Sequence, residues 1–178
     1  MQAPITLLAD LRAEHVARLL GGYRARLIDV APGAQIPGSY WGAPEAGLIA
    51  NRVYARGDTP AHSLLHELSH YVCMTAERRA RLSTDAGGDT DEECAVCYLQ
   101  LLLAEELHGF GRAKSFADMD AWGYTFREGS ARSWFIGDGR AARAWLLAHA
   151  LIDDTDRPTW QLRGQTHIPR GHMSPTPI

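Results

Sequence analysis

The sequence predicts an α+β domain. Several stretches repeat apolar residues at helical spacing, two short stretches read as strands, and Gly- and Pro-rich segments separate them. The 178 residues fit one domain spanning 1–178, long enough to bury a core without disulfides. An apolar fraction of 46% with 22% charged residues is ordinary for a soluble globular chain. The net charge of −3, with no basic run, gives a nucleic-acid partner no electrostatic support.

Over residues 5–20, Leu8, Leu11, Val16, Leu19 and Leu20 recur at helical spacing, and Gly21-Gly22 should stop that helix. Residues 26–30 read as a short strand. Residues 31–44 are rich in Pro and Gly and read as a loop that carries Tyr40 and Trp41. Residues 47–55 read as a second strand, mixing Leu48, Ile49, Val53 and Tyr54 with Asn51 and Arg52. Thr59 offers a hydroxyl to a free backbone N–H, and Pro60 suits a first helical position. A helix should therefore begin there and run to about residue 82. Residues 83–89, with Gly87 and Gly88, read as a loop. A second strong helix is expected over 91–107. A short helix is expected near 115–121, followed by an irregular aromatic stretch to 135, and a last helix over 140–151. The polar, Pro-containing segment 153–178 is expected to fray.

The chemistry concentrates in residues 47–107. His66-Glu67-Leu68-Ser69-His70 lies inside the helix that begins at Thr59-Pro60. Histidines four apart share a helix face, so both imidazoles can reach one zinc ion. The glutamate beside the first histidine can take a proton from water that the metal activates. A catalytic zinc needs a third protein ligand and an open fourth position. The next helix opens Thr90-Asp91-Glu92-Glu93. Glu92 shares a helical stripe with Ala95, Val96, Leu99 and Leu103, which favours it as the third ligand. Glu93 stands three after Thr90, where a capping-box glutamate sits, and is the alternative.

A helix with H-E-x-x-H, a short loop and a helix opening E-x-x-A resembles the gluzincin metallopeptidases, among them the small ImmA/IrrE-type enzymes. The likeness covers about residues 47–103. It implies a minimal zincin-type domain that hydrolyses a peptide bond. Zinc would be held by His66, His70 and Glu92, with Glu67 as general base. It also implies that the strand over 48–53 edges the cleft and pairs with an extended peptide substrate. Val96 stands where the family usually places an Asp or Asn that supports a histidine.

A rival reading uses Cys94-Ala95-Val96-Cys97. With His66 and His70 these cysteines would close a structural Cys2His2 zinc site, as in a non-catalytic regulatory or interaction protein. The plain alternative is two small apolar residues in a helix core. Tyr124, Arg127 and His149 are the candidates to stabilise an oxyanion. No stretch is apolar enough to span a bilayer, and the N-terminus has no signal-peptide pattern. The odd set Cys73, Cys94 and Cys97 then points to reduced thiols in a cytoplasm. Substrate identity and oligomeric state are not encoded in any motif.

Overall fold

A computed structural model of the chain describes residues 4–165. Among these residues it shows a small α+β fold of seven α-helices and a three-stranded sheet. The first expected helix is interrupted. Leu8–Asp10 forms a single 3-10 turn, Leu11 is extended, and α1 runs Ala13–Gly22. Val16, Leu19 and Leu20 point inward from α1, as the spacing of the apolar residues requires. Strand β1 follows at Arg26–Asp29.

Residues 47–55 form a hairpin, where one strand was expected. Strands β2 (Gly47–Ile49) and β3 (Arg52–Ala55) pair antiparallel across a two-residue turn, Ala50-Asn51. Ala50 turns with φ 52°, a left-handed conformation that tight hairpins require. The Asn51 side chain donates to the Arg24 carbonyl at 3.0 Å and secures the turn. Strand β1 pairs parallel with β3, so the sheet order is β1-β3-β2.

Helix α2 spans Ala61–Cys73 and stops well short of residue 82. Met74 is extended, and Thr75 begins a separate helix α3, Ala76–Arg81, by accepting a bond from the Arg78 N–H. Pro60, expected as the first helical residue, stands just before α2 as its N-cap, with ψ 136°. The Thr59 hydroxyl instead accepts from the Arg56 N–H at 3.0 Å. Helix α4 spans Thr90–Leu103, then tightens into a 3-10 turn at Ala104–Glu106. Its first turn is capped by Asp89, whose carboxylate accepts from the Glu92 N–H at 2.8 Å, so Thr90-Glu93 is not the capping pair.

Helix α5 (Gly111–Trp122) is longer than expected. Helix α6 (Ala131–Ile136) lies in the stretch read as irregular; its six residues are too few to show a period, but Ser130 caps it. Helix α7 spans Arg140–Ala148. Residues 153–165 are ordered against the body: Ile152 bridges Pro158, and the Arg163 N–H donates to the Val72 carbonyl at 2.9 Å. The remainder of the expected fraying segment, 166–178, lies outside the described residues.

The core centres on α2 packed against α4. Leu64, Leu65, Leu68 and Val72 from α2 meet Ala95, Val96, Leu99 and Leu103 from α4, all fully buried. Truncating any of these leucines to Ala would cost about 2–5 kcal/mol. No helix among the described residues is long and apolar enough to cross a membrane.

One buried polar residue on α2 has a measurable consequence. His62 is fully buried, its ring 5.5 Å from Trp122 and 5.6 Å from Tyr124. Neither ring nitrogen has a hydrogen-bond partner among the described residues. Burial, aided by His66, pushes its pKa from 6.5 down to about 3. The unfolded chain therefore binds a proton that the folded chain refuses between those values. The stability contributed by keeping this ring neutral is whole above pH 6.5 and falls as the pH drops towards about 3. His62→Leu should remove about 1.4 kcal/mol of that loss per pH unit. Urea titrations of the wild type and this variant between pH 4 and 7 measure it; parallel stability curves would show that His62 is not the titrating group.

Candidate metal centre

Helix α2 places His66 and His70 one turn apart, with their Nε2 atoms 3.1 Å from each other. Helix α4 brings Glu93 to the same point. Its Oε1 lies 3.4 Å from His66 Nε2 and its Oε2 3.5 Å from His70 Nε2. Ligand bonds of about 2.0–2.1 Å around a tetrahedral zinc give ligand–ligand edges of about 3.3 Å. The two imidazole contacts go to different Glu93 oxygens, and one ligand atom from each of the three residues lies within 4.8 Å of the others, near enough to hold one ion.

The protonation pattern agrees. His66 Nδ1 lies 2.7 Å from Gln100 Oε1, an oxygen that can only accept. The ring therefore carries its proton on Nδ1 and turns the Nε2 lone pair towards His70 and Glu93. Burial holds the pKa of His70 well below 6.5, with His66 and Arg78 adding to the effect. Among the described residues, His66, His70 and Glu93 are the group whose donor atoms converge in this way.

Glu67 lines the same cleft as the histidines. Burial, together with the charges of Glu45 and Glu93, pushes its carboxyl up to about 8. A cation held by the histidines would act in the opposite direction and favour the carboxylate. The cleft encloses about 440 Å³ and is lined by the Tyr40-Trp41 loop and the loop before α4.

Glu92, the ligand expected from the helical stripe, is turned elsewhere. It is buried, and its carboxylate takes two bonds from Arg78 Nη1, at 2.7 and 2.8 Å, and one from Arg163 Nη1 at 2.8 Å. Arg78 also donates to the Ala86 carbonyl, and Arg163 to the Cys73 carbonyl at 3.4 Å. The stripe argument was right that Glu92 faces inward. It did not anticipate that two arginines would meet it there, one of them from a segment read as fraying. Glu93, one residue later and half-exposed, faces the histidines.

The other expectations divide similarly. Cys94 borders the cleft, but neither it nor Cys97 belongs to the converging group. Burial raises the pKa of both thiols, which opposes the thiolate form that zinc requires. Among the oxyanion candidates, Tyr124 sits with its ring 6.1 Å from His66. Arg127 is paired with Asp138 and Glu128 on the surface, and His149 Nδ1 lies 2.8 Å from the Trp145 carbonyl. Strand β3 is the inner strand of the sheet, and the Leu48 N–H of β2 donates to the Gly38 carbonyl at 3.3 Å. The expected peptide-pairing edge is therefore met at Leu48 by the chain itself.

Two contributors escaped the sequence reading. Gln100 stands seven after Glu93, hence on the same face of α4, and a glutamine inside an apolar helix run is the signal that could have marked it. Glu45, whose Oε1 accepts from Trp122 Nε1 at 2.8 Å, reaches the site from a loop and leaves no such signal. Searches against family models, curated proteins and solved structures returned no match to this chain.

The two glutamates can be separated by titration. Glu93→Ala should weaken zinc binding by more than about a hundredfold, since a ligand is lost where even outer partners carry ten- to a hundredfold. Glu92→Gln should keep zinc within about tenfold and cost roughly 2–4 kcal/mol of stability, because two guanidiniums lose their counter-charge. Competition with a chromogenic chelator, paired with urea unfolding, reads both. The opposite ranking would return the ligand role to Glu92.

Proposed function

We propose that this chain is a zinc-dependent peptidase of the minimal gluzincin type. Its zinc ligands are His66, His70 and Glu93, and Glu67 is the general base. The observation that carries the reading is the convergence of these three donors within 4.8 Å of one another in a cleft that Glu67 also lines. Two imidazoles and one carboxylate form the donor set of a catalytic zinc site, whereas a structural site closes with four protein ligands. Zinc bound there would act as a Lewis acid, polarising a peptide carbonyl and lowering the pKa of water.

The residues supply the rest. Gln100 fixes the His66 tautomer and ring orientation, so that Nε2 stays a ligand. Glu67 stands next to His66 in sequence and beside the same cleft, placed to take a proton from the attacking water. The same carboxyl can then give that proton to the departing amine. Burial and the nearby Glu45 and Glu93 raise its pKa in the protein alone, and bound zinc would favour the carboxylate again.

Purified protein should bind one equivalent of zinc. His66→Ala with His70→Ala should abolish binding and lose the zinc-dependent rise in melting temperature. Elemental analysis and calorimetry measure both, and full zinc in the double variant would remove the basis of the proposal. Glu67→Gln should retain zinc and fold, yet lose hydrolysis by at least about two orders of magnitude, because an amide cannot take the proton. The readout is mass spectrometry of a peptide library digested by wild type and variant. A zinc-loaded wild type that leaves every peptide intact would instead favour a zinc-binding regulatory protein without catalysis.

A further inference from the structure

The cleft is lined by groups of two kinds. The aromatic side chains of Tyr40 and Trp41 meet edge to face, with ring centroids 5.1 Å apart. Both are strongly exposed, Trp41 at 80% and Tyr40 at 61%, in a fold whose other aromatic rings are mostly packed inward. Water-exposed indole and phenol rings side by side at the mouth of a cleft cost hydrophobic free energy in the free protein, and covering them on binding returns it.

The second kind is acidic. Asp85, Asp89, Glu67 and Glu93 line the same cleft as the two aromatic rings. No lysine or arginine lines it, and the nearby Arg78 is consumed by Glu92 and the Ala86 carbonyl. One divalent cation at the metal centre would offset two of these four carboxylates, leaving two negative charges. Asp85 Oδ1 accepts from the Gly87 N–H at 2.8 Å, and Asp89 Oδ1 from the Glu92 N–H at 2.8 Å. Those bonds occupy one oxygen of each carboxylate. Exposed aromatic rings and carboxylates lining one cleft, with no lysine or arginine among the lining residues, are the groups that bind an ammonium or guanidinium.

We infer that the cleft selects peptides with a lysine or arginine side chain beside the bond at the metal centre, held by Tyr40-Trp41 and Asp85-Asp89. This rests on the peptidase reading for its placement, but the recognition itself requires no turnover. A peptide with an acidic side chain at that position would meet uncompensated carboxylates and be rejected.

Binding of end-blocked alanine pentapeptides tests this. They carry Lys, Arg, norleucine or Glu at the centre, and the receptor is full-length zinc-loaded Glu67→Gln protein. Isothermal calorimetry and Trp41 fluorescence are the readouts. The Lys and Arg peptides should bind about tenfold tighter than the norleucine peptide, and the Glu peptide most weakly. The preference should shrink as salt rises. Trp41→Ala, and separately Asp85→Asn with Asp89→Asn, should erase most of it; asparagine keeps the backbone-capping oxygen and removes only the charge. Equal affinity for the Lys and norleucine peptides overturns the inference. So does a preference unchanged in these variants, or no binding of any basic peptide. Failure of the peptidase reading looks different: wild-type protein would bind the Lys peptide selectively and leave it uncut.

Discussion

The carboxylate of Glu92 lies buried between the guanidiniums of Arg78 and Arg163, and the geometry of the metal centre depends on it. Helix α4 must present an apolar face to α2, and that face alone would tolerate some rotation, since Ala95, Val96, Leu99 and Leu103 form a broad stripe. An ion pair is less tolerant, because charge-assisted bonds from two guanidiniums on different segments constrain both distance and direction. With Glu92 drawn towards α3 and the segment that carries Arg163, the next residue points about 100° away around the helix. That direction is where His66 and His70 project. The ion pair thus sets which glutamate meets the histidines.

The same contact joins parts of the chain that are far apart in sequence. Arg78 comes from α3, immediately after the break that ends α2, and Arg163 lies 71 residues beyond Glu92. Arg163 also stacks over the Trp145 ring at 4.8 Å, and its carbonyl accepts from Arg79 Nη2 at 2.6 Å. Together these bonds brace the end of α2, the helix that carries both histidines. A buried ion pair of this kind adds little net stability, since desolvation offsets much of the Coulomb gain. Its effect here is on geometry: it defines one rotation of one helix.

The sequence made the centre of the site legible and left its periphery obscure, for physical reasons. His66, Glu67 and His70 lie on one helix, and helical geometry alone places them. The pairing of a second helix with the first was also legible, since both carry long apolar stripes. The choice between Glu92 and Glu93 turned on a rotation of about 100°, which is set by arginines supplied from elsewhere. Local periodicity holds no information about such partners. The hairpin at residues 47–55 was missed because Ala50-Asn51 lacks the Asn-Gly or Asp-Gly pattern that marks tight turns. The end of α2 at Cys73 was missed because apolar residues continue past it, although Thr75, with Glu77 two residues on, carries a helix-start signal.

Imidazole recurs along α2 at His62, His66 and His70, with a different environment at each turn. Among the described residues, His62 is enclosed by Trp122 and Tyr124 with no hydrogen-bond partner, His66 is oriented by Gln100, and His70 has a buried Nδ1 without a partner. The surrounding residues thus support the two proposed ligands unequally. A ring fixed by a hydrogen-bonded amide keeps its tautomer and orientation, whereas a ring fixed by packing alone can exchange its proton between two nitrogens. His66 is therefore the pre-organised donor. His70 is held in place by burial and by the proximity of His66 and Glu93, and its Nε2 lone pair is secured only when a cation engages it. On the proposed zinc reading, part of the order at this centre would be coupled to metal binding, through the residue whose outer nitrogen the fold leaves unsupported.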